Sequence, residues 1–120
     1  MSVERELLKA GKALLARGSE FWCKGHFAVN KKGESVSWRN PETCRFCLLG
    51  SLLRAKSDCN ASETDYELAE WFLMEATPTN SLPYFNDHPT TPYSAVLAVY
   101  DQAIALAKES ANAKVPPPSK

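Results

Sequence analysis

Residues 40 to 56, NPETCRFCLLGSLLRAK, limit what this chain can fold into more than any other stretch. The spacing predicts one helix there, capped by Asn40, with Pro41 in the first turn where its missing N–H has no partner. Glu42 adds a negative charge near the positive end of the helix dipole. Phe46, Leu48, Leu49, Leu52 and Leu53 cover most of the circumference, the pattern of a helix buried on more than one side. Gly50 inside such a helix costs up to about 1 kcal/mol relative to alanine. A second backbone crossing closely at that point would offset the cost.

A chain of 120 residues is long enough for one domain around a single core. Its 14 basic residues balance 14 acidic ones. No global field therefore draws it to nucleic acid or to an anionic membrane, and neither is an expected partner. No apolar run is long enough to span a bilayer, and the charged N-terminus lacks the apolar core of a signal peptide. The expectation is a cytoplasmic protein whose four cysteines stay reduced.

Taken in order, Ser2 is placed to cap a first helix running to about Arg17, with Val3, Leu7, Leu8, Leu14 and Leu15 at helical spacing. Gly18 fits a left-handed position just past its end. Phe27, Val29, Val36 and Trp38 flank a polar turn at 30–34 and predict a short β-hairpin. Asn60 or Ser62 caps the next helix, with Glu63 or Asp65 as capping-box partner. That helix ends by Thr77, because Pro78 disfavours helical backbone in the residue before it. Residues 78 to 91 hold three prolines and no periodicity, and read as a long loop. Thr91 and Pro92 start a last helix running to about Ser110.

Three segments together resemble a family of small uncharacterised proteins of bacteria and their phages. They are Trp22-Cys23-x-Gly25, Cys47-Leu48-Leu49-Gly50-Ser51-Leu52, and Phe85-Asn86-Asp87-x-Pro89 ahead of an Ala-rich helix. The family's usual forms look like Trp-Cys-x-Gly, Cys-x-x-Gly-Ala and Trp-Asn-Asp-x-Pro. The chain departs from them with Phe85 in place of Trp and Ser51 in place of Ala, and Cys44 and His26 fall outside the pattern. The likeness extends from about Leu7 to Lys108. It supports a helical domain and marks Asn86 and Asp87, but implies no activity.

Cys23-x2-His26 and Cys44-x2-Cys47 have the ligand types and paired spacing of a structural zinc site. Against that reading, Cys44 and Cys47 fall on a predicted helix and two of the four ligands lie outside the family pattern, so the plainer expectation is buried apolar cysteines. Cys44 and Cys47 also have the spacing of a redox pair, but no βαβ setting accompanies them. Asn86-Asp87-His88 is the best polar candidate, able to bind a polar ligand or to brace a turn. Trp22, Tyr84 and Phe85 supply aromatic faces, and Arg45 a cation for an anionic group. No phosphate-binding glycine loop, nucleophile elbow or metalloprotease helix motif is present.

The expected architecture is mainly α: a compact four-helix domain over residues 1–110 with a short β-hairpin between helices 1 and 2, then a flexible Pro-rich tail over residues 111–120. The expected function is a small non-enzymatic binding module without a cofactor. By analogy with phage proteins it inhibits or sequesters, its partner being a small anionic or nucleotide-like ligand or a host protein. Trp22, Arg45, Tyr84, Phe85, Asn86 and Asp87 are its ligand-binding candidates. The alternatives are a small hydrolase or transferase using Asp87 with His26 or His88, and the zinc module of Cys23, His26, Cys44 and Cys47. A homodimer through an exposed helix face is compatible with so small a domain.

Overall fold

The first helix, α1 (Val3–Leu15), forms where the sequence predicts it. Ser2 sits at the cap position with extended backbone, but its hydroxyl makes no capping bond. Past the helix end Gly18 adopts φ 151° and ψ 160°, the mirror image of an extended conformation, which is open almost only to glycine. A 3-10 turn over Ser19–Phe21 then delivers Trp22 and Cys23 to the sheet. The computed structural model that shows this describes residues 2–113, with side chains through Ser110.

The predicted central helix is shorter than expected, and the strand pairing accounts for the difference. Strands β1 (Ala28–Val29) and β2 (Arg45–Phe46) pair antiparallel, with Ala28 opposite Phe46 and Val29 opposite Arg45. Helix α2 (Leu48–Asp58) starts only after them, with Cys47 at its cap. Asn40 closes a turn instead: its side-chain oxygen accepts from Glu42 N at 2.8 Å and its carbonyl from Thr43 N at 3.0 Å. Cys44 N then donates to the Val29 carbonyl at 2.8 Å and Cys47 N to that of Phe27 at 3.1 Å. Long-range pairing of 44–47 thus outcompetes the local capping signal. The hairpin lies between α1 and α2 as expected, with a different second strand; Val36 keeps one bond, donating to the Ala28 carbonyl at 3.1 Å. Trp22 bridges to Phe46 on the other side of β2.

Gly50 is the crossing point that its cost implied. A Cβ there would collide with the carbonyl oxygen of Phe27, so β1's approach runs directly over the first turn of α2. Helix α3 (Glu63–Ala76) has Ser62 as its cap, accepting from Asp65 N at 3.1 Å, and stops at Thr77.

The stretch expected to be a structureless loop contains a fourth helix, α4 (Leu82–Asp87), so five α-helices stand among the described residues where four were expected. Ser81 caps it, accepting from Tyr84 N at 3.2 Å, and Pro83 occupies the first turn, where proline is tolerated. Leu82 and Phe85 anchor it in the core. The last helix, α5 (Tyr93–Ala113), includes the first three residues of the expected tail; residues 114–120 lie outside the described residues.

α1 packs against α2, α3 and α5, and α3 against α5. Leu7, Leu8 and Leu15 meet Leu48 and Leu52, Phe72 and Leu73, and Val96, Tyr100 and Ala103 in one buried cluster. Each large aliphatic side chain there contributes about 1.5–3 kcal/mol of burial. The Tyr100 hydroxyl lies within 2.5 Å of Ser51 Oγ, which is itself 2.7 Å from the Leu48 carbonyl. Gly11 on α1 makes room for it, since a Cβ there would strike that hydroxyl.

Candidate functional site

Asn86 is fully buried near the end of α4 and makes every hydrogen bond a carboxamide can make. Its oxygen accepts from the Trp22 indole N–H at 2.6 Å and from Leu48 N at 3.0 Å. Its amide nitrogen donates to the Cys23 carbonyl at 3.0 Å and to Asp87 Oδ1 at 2.9 Å. The first two partners only donate and the last two only accept, so the orientation of the amide is fixed by chemistry. One side chain therefore joins the Trp22–Cys23 segment, the N-terminus of α2 and α4.

Asp87 continues the network to the surface. Its Oδ1 also accepts from Gly25 N at 2.8 Å, at a residue whose φ of 83° suits glycine. Beside it, Lys24 Nζ donates to the His88 carbonyl at 2.6 Å, a second tie between the two segments. Asp87 forms no ion pair among the described residues. It lines a cavity of about 340 Å³ with Gly25, His26, Phe27, Ser35, Cys47 and Pro83. Phe27 is 48% exposed overall.

The predicted binding residues separate into three groups. Trp22, Asn86 and Asp87 converge, but Trp22 is committed to Asn86, with Lys24 Nζ 5.3 Å from its ring centroid and the Tyr93 ring at 6.1 Å. Phe85 is buried in the core. Tyr84 is 61% exposed, stacks edge-on with His88 at 5.7 Å, and with Phe85 lines a separate cavity of about 260 Å³ that includes Thr79, Thr90 and Thr91. Arg45 is exposed on β2 and does not line the Asp87 cavity.

Phe27, Ser35 and Pro83 were not among the candidates, Gly25 and Cys47 were singled out for other reasons, and His26 was paired with Asp87 only in the alternative enzyme reading. A usable signal was present, because Trp22-x-x-Gly25 and Asn86-Asp87 belong to the same resemblance and hydrogen-bond to each other.

Cys44 and Cys47 are not on a helix turn together, contrary to expectation. Cys44 precedes β2 and lines a third cavity at the hairpin tip with Lys31, Lys32 and Glu42, whereas Cys47 faces the Asp87 cavity. Burial pushes the Cys47 thiol up to about 11 against the opposing pull of the Gly50 and Leu49 amides. Burial, then the neighbouring Cys47, pushes Cys23 up to about 12, with Arg45 acting in the opposite direction. Such thiols hold their protons at neutral pH and are poor nucleophiles. Among the described residues no three His, Cys, Asp or Glu side chains are grouped to hold a metal ion, so the alternative zinc set of Cys23, His26, Cys44 and Cys47 is not assembled there. No described helix is long and apolar enough to cross a membrane.

The model of the Family of unknown function (DUF6197) matches residues 2–106, and the chain belongs to that family. No curated protein and no solved structure matches it.

Proposed function

We propose that this member of a family of unknown function is a small non-enzymatic binding module whose binding surface is the cleft beside Asp87. One observation carries the reading: Asn86 uses all its hydrogen bonds inside the protein, and in doing so fixes a neighbouring carboxylate that forms no ion pair among the described residues. A charge held rigidly at a cavity wall favours a ligand, because little ordering cost remains to be met on binding. A volume of about 340 Å³ lies at the small end of ligand sites, fit for a small molecule or one side chain of a host protein. The resemblance to phage proteins adds an inhibitory or sequestering role in the cytoplasm to this reading.

Acid–base chemistry is the second reading, favoured by His26 and Asp87 lining the same cavity. Among the described residues no hydrogen bond joins the His26 ring to Asp87 or to Cys47, which weighs against it. The test is native mass spectrometry of protein purified gently from cells, compared with its denatured mass. A small-molecule adduct lost in Asp87→Ala and recovered chemically unchanged supports a sequestering module. A converted product would move the reading to an enzyme. A bare protein with no Asp87-dependent partner on pull-down would sink the binding reading.

A further inference from the structure

We infer that the Asp87 cleft selects a cationic head group, an ammonium or amidinium joined to a small apolar body. The inference rests on the binding reading above and names its ligand class. Both protein donors to the carboxylate, Gly25 N and Asn86 Nδ2, meet the same oxygen, Oδ1. Oδ2 has no hydrogen-bond partner among the described residues and is left for a ligand. Lys24, the chain neighbour of Gly25, places its ammonium on the His88 carbonyl at 2.6 Å and forms no ion pair with Asp87 among the described residues. Phe27, half-exposed, is among the residues lining the same cavity, and it supplies the aromatic residue that commonly accompanies a carboxylate in sites for organic cations.

An anion finds little to bind there. The N-terminus of α2 points its dipole towards the region, but three of the N–H groups there are taken internally. Leu48 N meets Asn86, Gly50 N meets Cys47 Sγ at 3.2 Å, and Ser51 N meets the Cys47 carbonyl at 2.9 Å. The dipole offsets only part of the Asp87 charge, equivalent to about half an elementary charge at most. Arg45, the expected anion anchor, is not among the lining residues.

The test titrates the full chain with benzamidinium and with its neutral near-isostere benzamide, following backbone amide resonances. Benzamidinium is expected to shift Gly25, His26 and Phe27 saturably and to bind at least about tenfold more tightly than benzamide. Added salt should weaken benzamidinium alone. Asp87→Asn keeps an acceptor for Gly25 N and removes the charge, so it should lower benzamidinium affinity to that of benzamide. Equal binding of the two compounds by the wild-type protein would overturn the cation assignment and leave the cleft as a binding site. Absence of shifts from both compounds would overturn the assignment too, while the native mass experiment judges the wider binding reading separately.

Discussion

The indole N–H of Trp22 and the side-chain oxygen of Asn86 meet at 2.6 Å although 64 positions separate them in the chain. The same oxygen takes Leu48 N, so removing it strands two donors at once. Asn86→Ala should cost about 3 kcal/mol or more, since each buried unsatisfied group costs about 1–3 kcal/mol. Asn86→Asp should be comparably harmful, because it sets a carboxylate oxygen against the Cys23 carbonyl and Asp87. Urea unfolding measures both, and a loss below about 1 kcal/mol would remove Asn86 from its structural role.

Gly50→Ala separates two opposing effects. Helix propensity alone predicts a gain of up to about 1 kcal/mol. The Phe27 carbonyl stands where the new methyl would go, and overpacking of this kind costs about 1–3 kcal/mol. The expected result is a net loss in chemical denaturation; a more stable variant would mean that β1 does not cross there.

Tyr100 and Ser51 should be energetically coupled. Their hydroxyls are 2.5 Å apart and fully buried, with the Leu48 carbonyl as a common acceptor. A double-mutant cycle of Tyr100→Phe and Ser51→Ala should return about 0.5–1.5 kcal/mol of coupling. Additive single losses would contradict the hydrogen bond.

Stability should fall in alkali. Free thiols titrate near 9.0, whereas folded Cys47 holds its proton to about 11 and Cys23 to about 12. Above pH 9 the unfolded chain therefore binds fewer protons than the native one, and stability declines with rising pH. The stabilisation is complete below pH 9 and is lost as pH rises towards 11 and 12. Tyr66 and Tyr100, also raised chiefly by burial, act in the same direction at higher pH. Urea midpoints between pH 8 and 11 should drop, and Cys47→Ala should drop less steeply; parallel curves would refute the thiol contribution.

The boundaries set by local chemistry were legible in the sequence. Ser62 caps α3 and Pro78 ends it, both through neighbours within a few residues. Gly50 announced a backbone crossing, though not that Phe27 supplies it. Asn40 and Pro41 carried a good helix-start signal that pairing of β2 with Val29 overrode, a competition no local window contains. Ser81 and Pro83 were the same kind of signal for α4, masked by the prolines around them. Asn86 and Asp87 were visible as polar candidates. Their division into a saturated brace and a carboxylate bonded through one oxygen was not, because the deciding partners, Trp22, Gly25 and Leu48, lie 38 to 64 residues away.

Across the family, the saturation of Asn86 determines how variation should be interpreted. A carboxamide of that length is the one side chain offering two donors and two acceptors in a fixed plane, so change at this position has to be answered by change at its distant partners. An invariant asparagine among relatives would then record shared ancestry of the scaffold and say nothing of shared ligands. On the binding reading proposed above, divergence in recognition would fall instead at His26, Phe27, Ser35 and Pro83, which line the cleft.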